Sequence, residues 1–317
     1  MTSPTSPLRH TVQVGLGLGL ELREAGQGSP VLVLHGGPGP GSLAHMVDHL
    51  ASDHRVVVPT HPGWDGTVRP DDLDCVPALA AVYLDLLGHL ELRDVTVIGT
   101  SFGGWVAAQA VLDDREGRIA RLVLMDAIGP VVPGRQVTVP AGPPAPGPAF
   151  LAGAPAPRGG PSAQSMAALR AYAGPAMADA GLLPRLFTVT CPVLVIWGGN
   201  DTVVTPDFGR AYAAAFPHVR FELVPGGGHL PTREEPAAVF TILDSFLAPG
   251  FFDRTPLSRY RQVPACRSQH PARSREAREH RAPGPAGLSR GADAVLHPDL
   301  VFSGSGHPCV HLPVTRR

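Results

Sequence analysis

Short apolar runs alternate with segments of helical periodicity along the first 250 residues, and this alternation limits the possible folds of the chain. Six runs predict buried strands, at residues 31–35, 55–59, 94–99, 121–126, 192–197 and 219–225. Segments with helical spacing follow them, at residues 76–90, 104–115, 206–216 and 234–247. Strands that alternate with helices are joined by right-handed crossovers, so we predict an α/β fold with a mostly parallel sheet covered by helices on both faces.

Two segments depart from this alternation. Residues 11–24 alternate apolar with small residues, which predicts an antiparallel hairpin at the sheet edge and brings the sheet to eight strands. Residues 128–190 form a long insertion between two predicted strands, and its first half is rich in Pro, Gly and Ala. We interpret this insertion as a reduced cap over the site, with a plain linker as the alternative.

The composition changes near residue 250. The first 250 residues contain 15 arginines and 22 acidic residues, whereas residues 251–317 contain 11 arginines and 5 acidic residues. The second segment has little apolar periodicity and cannot offset the entropy lost on ordering. We therefore predict one domain over residues 1–250 and a disordered basic tail over residues 251–317. An arm for nucleic acid or another acidic partner is the functional alternative for this tail.

Composition also excludes several classes of function. The chain has no lysine, which rules out a Schiff-base, P-loop or kinase-type lysine. A formal net charge of −1 gives no electrostatic basis for nucleic acid as the main partner. The N-terminus lacks the layout of a signal peptide and no apolar stretch is long enough to span a bilayer, so we expect a cytoplasmic protein without a membrane association. His45 and His49 lack the frame of a metal site, and we expect no metal and no cofactor.

The segment Gly99-Thr100-Ser101-Phe102-Gly103 has the pattern G-x-S-x-G between a predicted strand and a predicted helix. In this context the serine lies in a strained turn that lifts its Oγ clear of the sheet. A side chain at either glycine would crowd the crossing of helix and strand. We predict that Ser101 is a nucleophile.

A second glycine-rich turn, His35-Gly36-Gly37-Pro38-Gly39, follows the strand at residues 31–35. Such a turn exposes backbone N–H groups beside the serine. We predict that the N–H groups of Gly37 and Phe102 together face a developing oxyanion.

An acid and a histidine follow the last two predicted strands. Asp201 comes after the strand at residues 192–197, where open sheets keep their catalytic groups. His229 lies in the loop after the strand at residues 219–225. Asp126, at the end of an earlier strand, is the rival acid.

With these motifs the chain resembles the α/β-hydrolase superfamily over about residues 10–248. Its HGGPG segment is most similar to the branch of proline iminopeptidases, epoxide hydrolases and esterases, and residues 61–67 resemble the family turn after the fourth strand. The resemblance implies an α/β-hydrolase fold and a triad of Ser101, His229 and Asp201, in which the histidine takes the serine proton and the aspartate orients the histidine.

The resemblance implies a serine hydrolase, and we expect a small ester or related acyl compound as substrate. A serine in the nucleophile position disfavours the chemistry of those relatives whose nucleophile is an aspartate. Residues 127–190 contain one acidic residue against four arginines, which argues against holding the amino group of a peptide. An amide or carbon–carbon bond hydrolase with the same triad, proline iminopeptidase-like enzymes included, remains an alternative, as does a non-catalytic protein that binds a ligand.

A chain that ends at residue 250 should fold, melt within a few degrees of the full-length protein and keep its esterase turnover. The physical reason is that the last predicted helix closes the domain and the tail adds no periodic apolar surface. Trypsin should cut the 11 arginines of the tail long before it cuts the domain, as gel electrophoresis over time will show. Aggregation of the shortened chain, or a tail as resistant as the domain, contradicts this boundary.

Overall fold

The computed structural model describes residues 8–15, 17–138 and 161–248. Its strands are Leu8–Val14 (β1), Leu18–Ala25 (β2), Ser29–Leu34 (β3), His54–Pro59 (β4), Val95–Thr100 (β5), Ile119–Met125 (β6), Gly129–Pro130 (β7), Ala178–Asp179 (β8), Val193–Gly198 (β9) and Val219–Val224 (β10). The main sheet has eight strands in the order β1-β2-β4-β3-β5-β6-β9-β10, and β7 and β8 pair separately.

One strand of the main sheet runs against the others. Strand β2 pairs antiparallel with both β1 and β4, whereas every other pair of neighbours is parallel. The mostly parallel, eight-stranded sheet and the hairpin at its edge are therefore confirmed.

Helices cover the sheet on both sides. Their bounds are Ala44–Leu50 (α1), Val76–His89 (α2), Phe102–Asp113 (α3), Ala163–Ala173 (α4), Leu182–Arg185 (α5), Pro206–Ala213 (α6), Pro231–Glu234 (α7) and Pro236–Leu247 (α8). In the described ranges, no helix combines the length and the apolarity that crossing a membrane requires.

Alternation along the buried strands divides the core between the two faces of the sheet. On β5, Val95 and Val97 belong to the apolar cluster that includes side chains of α2 and α3. Ile98 belongs to the second cluster, with side chains of α1 and α8. Because both faces are covered, all six residues of β5 are buried.

The helix predicted over residues 234–247 is present and begins two residues later. Helix α8 begins at Pro236, and the preceding Glu235 has φ −133° and ψ 55°, outside the helical region. Proline disfavours the helical conformation in the residue before it, because its ring crowds that residue's backbone. Helix α8 therefore starts at the proline, and the short helix α7 ends just before it.

The insertion between β6 and β9 is described only in part, since residues 139–160 lie outside the described residues. The tail predicted over residues 251–317 lies outside them too. In the described part, α4 packs on the loops that follow β3 and β4. The Tyr172 hydroxyl donates to the carbonyl of Pro62 at 3.1 Å, and a Cβ atom on Gly37 would lie 2.7 Å from Cγ of Pro161.

The crossing of β5 and α3 depends on two glycines. A Cβ atom on Gly99 would lie 2.3 Å from the carbonyl oxygen of Gly103, and one on Gly103 would lie 2.2 Å from the carbonyl oxygen of Leu34. These distances leave no room for a side chain. The helix therefore starts directly above the end of the strand, and Ser101 occupies the turn between them.

Gly99→Ala should lower the free energy of unfolding by about 3 kcal/mol, because the new methyl group meets fixed backbone. Gly41→Ala is the matched control, since no heavy atom lies within 4 Å of a Cβ at that position. Urea unfolding of both variants checks the prediction. Equal stability of the two variants would show that the crossing can shift to accept a side chain.

Candidate active site

Ser101 has a backbone conformation that is rare for a residue with a side chain. Its φ is 51° and its ψ −117°. The Ser101 N–H donates to the carbonyl of Met125 at 2.9 Å, and the Ser101 carbonyl accepts from the N–H groups of Gly104 and Ile128 at 3.0 and 3.2 Å. These bonds to the end of β6 and its following loop hold the strained turn in place.

The structure brings Ser101, His229 and Asp201 together, although they lie far apart in the sequence. His229 Nε2 lies 2.9 Å from Ser101 Oγ, and His229 Nδ1 lies 2.8 Å from Asp201 Oδ2. With an ionised aspartate, Nδ1 carries the proton and donates to Asp201, so Nε2 accepts from the serine hydroxyl. The pattern suits removal of the serine proton by His229.

Backbone groups fix the carboxylate of Asp201. Its Oδ1 accepts the N–H groups of Val203 and Val204 at 2.7 and 3.1 Å. The Asp201 side chain has no exposed surface, whereas that of His229 is 21% exposed. The carboxylate is therefore held rigidly while one side of the imidazole stays open to solvent.

Asp126, the rival acid, lies beside Asp201 and makes a different contact. Its Oδ1 accepts the N–H of Gly198 at 2.8 Å, and among the described residues its Oδ2 has no hydrogen-bond partner. Burial, and after it the charge of Asp201, raises the pKa of Asp126 well above its usual value. The geometry thus joins His229 to Asp201, while Asp126 bonds to the backbone of β9.

The predicted oxyanion donors come from two loops close to Ser101. A Cβ atom on Gly36 would lie 2.9 Å from Cβ of Ser101, so the glycine-rich loop after β3 approaches Ser101 closely. The carbonyl of Gly37 accepts Trp64 Nε1–H at 2.9 Å, which fixes this loop. Phe102 is the first residue of α3, where backbone N–H groups have no partner within the helix.

A pair of buried histidines supports the same loop, and sequence reasoning assigned it no role. The N–H of His61 donates to His35 Nε2 at 3.0 Å, so a neutral His35 carries its proton on Nδ1 and donates to the Gly36 carbonyl at 2.8 Å. His61 Nε2 donates in turn to the His35 carbonyl at 2.8 Å, and its Nδ1 accepts from the Tyr83 hydroxyl.

Burial lowers the pKa of His61 to about 3 and that of His35 well below its usual value, so both rings are neutral. A histidine after each of two paired strands, β3 and β4, is the sequence signal that could have found this pair.

Trp64, which bonds to Gly37, packs on Phe102, and His49 forms a surface ion pair. Trp64 and Phe102 are fully buried, with ring centroids 5.8 Å apart. His49 Nε2 lies 2.7 Å from Asp244 Oδ1 at the surface. Among the described residues, no three His, Cys, Asp or Glu side chains are grouped so that they could hold a metal ion.

Residues 31–242 match the family described as the alpha/beta hydrolase family. The chain is 32% identical over 124 residues to 2-hydroxymuconate semialdehyde hydrolase of Pseudomonas sp. (strain CF600), across 37% of this chain and 42% of that protein. It is 35% identical over 128 residues to a non-heme chloroperoxidase of Kitasatospora aureofaciens, across 37% of this chain and 43% of that protein. The chain thus spans less than half the length of these two relatives.

A solved structure shows the same fold over more of the chain. An esterase from Exiguobacterium antarcticum superposes with a TM-score of 0.61 and 17% identity, covering 75% of this chain and 99% of the esterase. At this identity, the likeness extends to the fold alone.

Asp126→Asn should become more stable relative to the wild type as the pH rises above about 4. The aspartate of the unfolded chain ionises near pH 4, whereas the native Asp126 keeps its proton up to its raised pKa. Between these two pH values, the free energy of unfolding of the wild type falls by up to about 1.4 kcal/mol per pH unit. The asparagine does not titrate and keeps an oxygen for the Gly198 N–H.

Urea unfolding at pH 5, 6 and 7 measures this difference, with the exposed Asp71→Asn as control. A stability difference between Asp126→Asn and wild type that stays constant with pH contradicts a raised pKa.

Proposed function

Because the chain belongs to the alpha/beta hydrolase family, we propose that this hydrolase is a serine hydrolase that cleaves a small ester or related acyl compound through an acyl-enzyme. The observation that carries the proposal is the hydrogen-bonded series from Ser101 through His229 to Asp201. This series supplies a nucleophile, a base and an orienting acid at the carboxyl edge of one sheet. The strained backbone of Ser101 is a second support.

In the first half of the reaction, Ser101 Oγ forms a bond to the acyl carbon while its proton passes to His229 Nε2. Asp201, hydrogen-bonded to Nδ1, stabilises the imidazolium that results. The N–H groups of Gly37 and Phe102 are the proposed donors to the oxyanion of the tetrahedral intermediate. The bond to the leaving group then breaks, and His229 gives that group its proton.

Water completes the cycle in the second half. His229 Nε2 takes a proton from the water as its oxygen attacks the acyl carbon, and a second tetrahedral intermediate forms. Its collapse breaks the bond to Ser101 Oγ, and the imidazolium returns its proton to the serine. The acid product leaves and the free enzyme is restored.

The charges of the insertion favour a neutral or acidic substrate over a peptide N-terminus. Asp179 is the one acidic residue in the sequence between positions 127 and 190. Arg185 Nη2 already lies 3.1 Å from its carboxylate, so that charge is neutralised by a neighbour. A cationic amino group therefore gains little from Asp179.

A second candidate function is cleavage of an amide or a carbon–carbon bond with the same triad. The match to 2-hydroxymuconate semialdehyde hydrolase supports it, although that match covers 42% of the relative. Turnover of this semialdehyde alongside a panel of short esters, amides and lactones distinguishes the two candidates. The same panel tests the alternative that the chain is a non-catalytic binding protein, because such a protein would turn over none of these compounds.

Ser101→Ala should lower the turnover of short p-nitrophenyl esters by about 10⁴-fold or more, because the acyl-enzyme cannot form. Circular dichroism and melting temperature check that the fold is retained. A fluorophosphonate should label the wild type at Ser101, as mass spectrometry of the peptide will show. A variant that keeps a tenth of the wild-type rate would refute the assignment of the nucleophile.

Asp201→Asn should reduce kcat by about 10⁴-fold, because the neutral amide allows the wrong histidine tautomer and leaves the imidazolium without its counter-charge. Asp126→Asn should reduce kcat less than about five-fold, since His229 bonds to Asp201 and the asparagine keeps an oxygen for the Gly198 N–H. Steady-state kinetics with one ester compares the two. The opposite ranking would transfer the acid role to Asp126.

A further inference from the structure

The loop that carries His229 spans residues 225–230, between β10 and α7. The end of β9 and the residues after it contact the backbone of this loop. The N–H of Asn200 donates to the carbonyl of Gly227 at 2.8 Å. A Cβ atom on Gly198 would lie 2.0 Å from the carbonyl oxygen of Gly228, so strand and loop are in direct contact. These contacts fix the loop before His229 on the side that faces the sheet.

A single carboxylate holds the loop on both sides of His229. Glu234 Oε2 accepts the N–H of Gly228, and Glu234 Oε1 accepts the N–H of Leu230 at 3.4 Å. A Cβ atom on Gly228 would lie 2.6 Å from Glu234 Oε2. A side chain at position 228 would therefore displace this carboxylate.

We propose that Glu234 is a positioning residue for the reaction: by binding the backbone before and after His229, it keeps the imidazole in line between Ser101 and Asp201. The inference rests on the proposed function, since it assigns Glu234 a part in the same triad. A carboxylate that accepts backbone N–H groups forms charge-assisted bonds, which are stronger than those of a neutral acceptor.

The effect of such positioning falls on the chemical step. His229 Nε2 and Ser101 Oγ are 2.9 Å apart, and displacing a catalytic group by about 1 Å can cost about 100-fold in rate. Glu234 donates nothing to Ser101 or to the oxyanion loop. Its removal should therefore lower kcat and leave KM close to the wild-type value.

The neighbouring acid provides a matched control. Glu234 is exposed, so its substitution removes no buried packing. Glu235 carries the same charge at the next position, and within the described part of the chain its side chain accepts no hydrogen bond from the His229 loop. Glu234→Ala and Glu235→Ala thus remove equal charge, but only the first removes hydrogen bonds to the backbone of the loop. Glu234→Gln removes the charge and keeps an oxygen that can accept.

The test compares wild type, Glu234→Ala, Glu234→Gln and Glu235→Ala, with kcat per site titrated by a fluorophosphonate and the rate of labelling at Ser101. Glu234→Ala should lose about 10- to 100-fold in kcat and in labelling rate, with KM within about two-fold. Glu234→Gln should keep kcat and labelling rate within about five-fold of the wild-type values. Glu235→Ala should have the wild-type kcat and labelling rate. Titration per site separates slow enzyme from unfolded enzyme.

Two results overturn the inference while leaving the proposed function intact: a Glu234→Ala variant within two-fold of wild type per titrated site, or equal losses in Glu234→Ala and Glu235→Ala. A wild type that neither hydrolyses esters nor reacts at Ser101 overturns the proposed function, and the inference falls with it.

Discussion

The rest of the site depends on the close crossing of β5 and α3. Gly99 and Gly103 allow backbone to meet backbone there, and the turn between them holds Ser101 in its left-handed conformation. The strands beside β5 run parallel to it, so their carboxyl ends open at the same edge. The loop after β3 brings Gly37, and the loops after β9 and β10 bring Asp201 and His229. A shift of the crossing would move Ser101 away from all three.

Three acids lie in or beside the site, and their environments differ. Asp201 is buried and receives two backbone N–H groups besides the imidazole. Asp126 is buried beside Asp201, and this environment raises its pKa. Glu234 is exposed and bonds to the backbone of the loop. Burial and backbone donors, rather than residue type, thus distinguish the acid that bonds to His229, the acid with a raised pKa and the acid that binds the loop.

The histidines near the site also differ in burial. His35 and His61 are fully buried and neutral, and their two rings act as a structural bridge between the loops after β3 and β4. His229 keeps one side exposed to solvent. Burial penalises the charged imidazolium, so only a histidine with partial exposure and an acidic partner suits a base that must be protonated in each cycle.

The sequence by itself determined the order of strands and helices and the residues at the ends of the strands, because apolar periodicity and glycine patterns are local properties of the chain. Ser101, Asp201 and His229 could be named for that reason. Only the tertiary structure decided which acid reaches His229, that burial raises the pKa of Asp126, and that Glu234 binds the loop. Those outcomes depend on burial and on distances between segments far apart in the sequence, which no local pattern encodes.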